Sequence, residues 1–143
     1  MTARILSVLT LAVTMTGVAW AGDDDAGRKC RMTTLKGSYI FTATGFNIVN
    51  GVPVPKAIVE LIDFNGDGTL TVPGGTLSVN GVVTAIAPNG IGDYTLGANC
   101  TGTVVFIPGP SFNIFFEPDG KTGWMIQTNP NTVFQGTVTL LHR

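Results

Sequence analysis

From Leu35 to the C-terminus, apolar and polar side chains alternate in short stretches closed by Gly, Asn, Asp or Pro, and they nowhere recur at helical spacing. Alternation of this kind puts every second side chain on one face of a strand. In the first stretch, 37–48, Tyr39, Phe41 and Ala43 alternate with Ser38, Ile40, Thr42 and Thr44. The run Gly51-Val52-Pro53-Val54-Pro55 is expected to break it, because proline cannot donate to a ladder. A second strand, 57–64, meets a third, 69–72, across Asn65-Gly66-Asp67-Gly68, a set of residues suited to the positive φ of tight hairpin turns. Between 74 and 88 the rhythm is irregular: Leu77-Ser78-Val79 and Val82-Val83 flank Asn80-Gly81, and a small hairpin or a wandering extension both fit.

The pattern sharpens over 92–96, 101–107, 111–117, 122–128 and 132–141, which read as five further strands. The loops between them are too short for the crossover that a parallel pair needs, so neighbours run antiparallel. The expected fold class is all-β, a closed antiparallel up-and-down β-barrel of about eight strands, since closure removes exposed edges. A two-sheet β-sandwich is the alternative with the same strand count.

The first 21 residues follow a different pattern. Arg4, an apolar run from Ile5 through Val18, and then Ala19-Trp20-Ala21 form the layout of a secretory signal peptide cleaved after Ala21. The apolar run is shorter than the ~20 residues a spanning helix requires, so no stable membrane anchor is expected after cleavage. Residues 22–29, with Asp23-Asp24-Asp25, read as a solvated, disordered acidic leader. Residues 30–143 then form a single barrel domain, secreted or periplasmic.

Composition narrows the chemistry. A formal net charge of −1, thinly spread, offers no basic face for phosphate, and nucleic acid is excluded as a partner. Cys30 and Cys100 are the only cysteines, and in an exported chain they are expected to form a disulfide. With His142 as the only imidazole they fall short of a zinc set, so no metal and no cofactor is expected. Asp63-Phe64-Asn65-Gly66-Asp67-Gly68 opens like a calcium loop, but the twelfth position is Gly74 rather than a bidentate Glu and the flanks are strands. A plain hairpin turn is the expectation. No nucleophile elbow, phosphate loop or dinucleotide fingerprint occurs.

Several segments carry a resemblance: Leu35-Lys36-Gly37-Ser38-Tyr39, Gly92-Asp93-Tyr94-Thr95-Leu96, Asn99-Cys100-Thr101-Gly102-Thr103-Val104, Ile126-Gln127-Thr128-Asn129-Pro130 and Gly136-Thr137-Val138. Together they resemble a group of small exported bacterial proteins whose barrel is similar to that of allene oxide cyclases and, more loosely, of lipocalins. The resemblance covers nearly the whole mature chain. It implies a calycin-like barrel and a cofactor-independent cyclase or isomerase as one candidate activity.

Glu60 is the carboxylate of interest. By strand parity it shares a face with Ile58, Ile62 and Phe64, and if that face lines the lumen the carboxyl would have a raised pKa suited to proton transfer or to gripping a polar ligand atom. On the opposite parity it would be solvated. Tyr39, Phe115, Trp124, Gln127 and Gln135 are the candidate ligand-binding residues, the aromatics as apolar walls and the glutamines and tyrosine as hydrogen-bonding groups. Three functions fit: a binding module for a small apolar molecule held in the lumen, a cyclase or isomerase with Glu60 as acid or base, and a structural domain with a filled core.

Overall fold

The computed structural model describes residues 29–143; the expected signal peptide and residues 22–28 of the acidic leader lie outside the described residues. Alternate positions are buried along most of the strands, as in β5, where Gly92, Tyr94 and Leu96 are buried and Ile91, Asp93 and Thr95 exposed. The strands are β1 Lys36–Val49, β2 Val52–Asn65, β3 Thr69–Val79, β4 Val82–Ile86, β5 Gly90–Leu96, β6 Thr101–Ile107, β7 Ser111–Phe116, β8 Thr122–Gln127 and β9 Thr132–His142. They pair antiparallel in the order β2-β1-β9-β8-β7-β6-β5-β3-β4, and β2 also pairs with β3. That last pairing closes a ring of eight strands and leaves β4 as an extra strand on β3. The fold is therefore the closed barrel, and the sandwich is ruled out.

Two of the hairpins turn on Asn-Gly. Asn50-Gly51 joins β1 to β2 and Asn80-Gly81 joins β3 to β4, each with both residues at positive φ. This is the geometry whose twist matches the flanking strands. The expected break at Pro53 and Pro55 does not occur: both lie within β2, opposite Ile48 and Phe46 of β1. The Pro55 carbonyl accepts a hydrogen bond from the Asn80 amide at 2.8 Å. Residue 55 therefore turns its missing N–H away from β1. Pro53, two residues back, faces the same side, beyond the end of β3, so the β1 ladder loses nothing. The irregular stretch after residue 74 proves to be the β3 tail and β4, a small hairpin.

Strand direction separates the barrel into two ends. The β2–β3, β5–β6 and β7–β8 turns, the start of β1 and the end of β9 lie at one end, which residues 30–35 cover. There Cys30 is bonded to Cys100, a short 3-10 helix spans Met32–Thr34, and Leu35 is fully buried. The Tyr94 hydroxyl reaches the Met32 and Leu35 carbonyls at 2.9 and 3.0 Å. Just inside, Tyr39, Phe64, Tyr94 and Phe116 pack edge to face, with centroids 4.9 to 6.3 Å apart. This end is solid.

The β1–β2, β3–β4, β6–β7 and β8–β9 turns form the other end. Its inward positions include Ala43, Gly45 and Gly90, too small to fill the lumen. Here β3 also changes partner: residues 69–72 pair with β5, whereas 75–79 pair with β4. The change falls at Gly74-Gly75, beside a register shift between Leu61 and Asp63 of β2. Gly74 has φ +152, and a Cβ on Gly75 would stand 2.7 Å from the Val59 carbonyl oxygen. The glycine pair thus lets β3 bend away from β5 and opens the wall on one side.

Candidate functional site

The opened half encloses a cavity of about 340 Å³. Phe41, Phe106, Phe112 and Phe134 form its aromatic wall, with neighbouring centroids 5.6 to 6.5 Å apart, and Ile58, Val72, Leu77 and Ile86 complete the apolar lining. Pro108 and Pro110 of the β6–β7 turn flank it, together with Ile91 and Ile107. Such a volume lies at the small end of ligand pockets, which run from ~300 to 1,000 Å³.

Two titratable side chains line this cavity, Lys56 and Glu60, both from the inward face of β2. Glu60 lies opposite Phe41 on β1 and Gly75 on β3, and is 8% exposed. It is the one buried charged residue among those described. Loss of hydration disfavours its ionised form, pushing the carboxyl up to about 7 from an ordinary 4.5. Among the described residues the only salt bridge is Lys121–Asp119, on the surface, so no cation offsets this burial. The Glu60 carboxyl is free to meet a guest.

Lys56 sits nearer the open end. Its Nζ donates to Gln127 Oε1 at 3.2 Å and lies 4.2 Å from the centre of the Phe134 ring. It reaches across β1 and β9 because its neighbour in register on β1 is Gly45, which in turn faces Phe134 on β9. A Cβ on Gly45 would lie 1.9 Å from the Val133 carbonyl oxygen, so no side chain can intervene there. Partial burial lowers the Lys56 pKa.

The remaining candidate residues are dispersed. Gln127 ends β8 beside Lys56, where its Nε2 donates to Asn129 Oδ1 at 3.2 Å while its Oε1 accepts a hydrogen bond from the Lys56 ammonium. Tyr39 is fully buried in the solid half and donates its hydroxyl to the Gly120 carbonyl at 2.7 Å; burial pushes its pKa up to about 12. It lines no part of the cavity. Phe115 and Trp124 face each other across β7 and β8 on the outer wall, 47% and 45% exposed, while Phe116 takes the inward place. Gln135 is on the outer wall too, beside Thr42, Thr44 and Thr137 in a shallow groove.

The two acids of the expected hairpin turn have local duties. Asp63 accepts from the Ser38 hydroxyl. Asp67 Oδ1 accepts from the Thr69 amide and hydroxyl at 2.9 and 2.7 Å, bonds that lower its pKa and brace the turn.

Lys56 is a cavity-lining side chain that the sequence reading missed. Its parity with Ile58, Glu60 and Ile62 was available, but starting the strand at residue 57, after the prolines, left it outside. The cavity role of Phe106, Phe112 and Phe134 had no such signal, since a core aromatic and a cavity wall have the same alternation. The Cys30–Cys100 bridge indicates a non-reducing compartment, such as the periplasm or the exterior. Comparison with family models, with curated proteins and with solved structures yields no match.

Proposed function

We propose that this barrel is an exported carrier or receptor that holds a small, largely apolar molecule in its open half. The observation that carries the reading is the buried Glu60 carboxyl, without a salt-bridge partner, in a cavity otherwise walled by phenylalanine and aliphatic side chains. A filled core has no use for such a group, because an unpaired buried carboxyl costs more than an apolar side chain of the same size. In a binding site it supplies the polar contact that orients a guest.

The neutral fluorophore N-phenyl-1-naphthylamine tests this. The protein should enhance and blue-shift its emission, and Leu77→Trp, which fills the cavity, should abolish the response while Trp124→Thr on the outer wall leaves it intact. Absence of a response, or a response indifferent to Leu77→Trp, would overturn the proposal.

A second reading is a cofactor-independent cyclase or isomerase, in keeping with the resemblance to allene oxide cyclase barrels. It is favoured by the placement of Glu60, whose carboxyl titrates at about 7 and can both give and take a proton near neutrality. Glu60→Gln separates the two readings. It keeps the shape and hydrogen bonding of the site, so binding should persist, whereas turnover of any substrate should be lost.

A further inference from the structure

The cavity has a polarity along its length that the apolar lining alone does not require. Lys56 and Glu60 are four residues apart on one strand face, which separates their Cα atoms by about 13 Å. Glu60 lies at the bend of β3, beside Gly75, while Lys56 lies higher, opposite Val79 at the end of β3. A Lys ammonium carries three N–H donors. Gln127 Oε1 accepts one, and the Phe134 ring offers its face to the charge, yet both partners are neutral and no carboxylate pairs with Lys56 among the described residues. Its neighbours fix where the ammonium sits without neutralising it.

Resting on the reading of the open half as a binding site, we infer that its ligand is a small amphipathic carboxylic acid, with the carboxylate head on Lys56 at the rim and the apolar body inward against Phe41, Phe106 and Phe112. One fixed positive charge matches a singly charged head. Glu60 at the inner end offers a carboxylate no cation, so the acid enters with its head toward Lys56. A neutral guest would leave the Lys56 charge half-solvated and unpaired, and an amine would face it with like sign.

Three compounds with one body test the inference: 3-phenylpropionate, 3-phenylpropanol and 3-phenylpropylamine, titrated by calorimetry into the mature protein at low salt. The acid should bind roughly tenfold or more tightly than either the alcohol or the amine. Lys56→Met keeps the packing of the stem and should bring the acid down to the level of the alcohol, whereas Lys56→Arg should retain the preference. Equal binding of acid and alcohol to the native protein, or a preference that survives Lys56→Met, overturns the inference while leaving the binding cavity in place. If none of the three binds and the fluorophore fails as well, the cavity reading falls and the inference with it.

Discussion

The two halves of this barrel are built from the same strands, yet one is solid and the other hollow. In the closed half the inward positions carry Tyr39, Phe64, Tyr94 and Phe116, and both tyrosine hydroxyls end on backbone carbonyls of the surrounding loops. Toward the open half, the same strands turn Ala43, Gly45 and Gly90 inward, and Phe41, Phe106, Phe112 and Phe134 are left to wall a space they do not fill. A small barrel encloses a nearly constant cross-section, so side-chain volume at each level decides whether that level is core or cavity. Titratable groups follow the same division. The closed half holds tyrosines whose protons are committed, and the open half holds a lysine and a glutamate that are not paired with each other.

The largest expected effects come from breaking the solid half. Phe64 packs edge to face on Tyr39, Tyr94 and Phe116, so Phe64→Ala should cost about 3 to 5 kcal/mol in urea denaturation. Phe106→Ala, beside existing empty space, should cost roughly half that or less, because less packing is lost. Equal costs would mean that the halves do not differ in packing.

Next in size is the bridge that holds the plug on the closed end. Replacing Cys30 and Cys100 together by serine frees a loop whose ends are 70 residues apart in sequence, and should cost about 2 to 4 kcal/mol. Hydrogen exchange should rise around Met32, Leu35 and Tyr94, while the fluorophore still binds at the far end. Lost binding would show that the two halves are coupled.

Glu60 gives the hollow half its own signature in pH. Its folded value of about 7 lies above the ordinary 4.5, so between these limits the folded protein holds a proton that the unfolded chain has released. The resulting stability is complete below the lower value and is lost as pH rises through the upper one, by about 3 kcal/mol at most. Glu60→Gln should flatten this slope, and Glu60→Leu should equal or exceed the native protein in stability above neutrality. Denaturation curves on either side of the window check both; an unchanged slope in the glutamine variant would place the titration elsewhere.

The outer wall sharpens the comparison by its indifference. Phe115 and Trp124 form an exposed cross-strand pair, so Trp124→Thr should change stability by less than about 1 kcal/mol. It should leave ligand binding in the open half unaltered. A loss of binding would move the site from the lumen to the barrel exterior.

Much of this molecule is written in local pattern. Alternation marks nearly every strand, Asn-Gly marks two turns, and two cysteines in a chain with an export-like N-terminus mark the bridge, because strand parity, positive φ and thiol pairing each depend on a few residues at a time. Parity also brought Glu60 onto the face of Ile58 and Ile62, though it could not say which face is inward. Tertiary structure alone decided that, together with the hollow of one half. The pairing of β2 with β3 closes the ring, the bend at Gly74-Gly75 opens one wall, and the register Lys56–Gly45–Phe134 lets a lysine cross two strands. These depend on residues far apart in sequence meeting at one level of the barrel. Whether a level is filled depends on the summed volume of eight strands, a quantity that no single stretch of the chain contains.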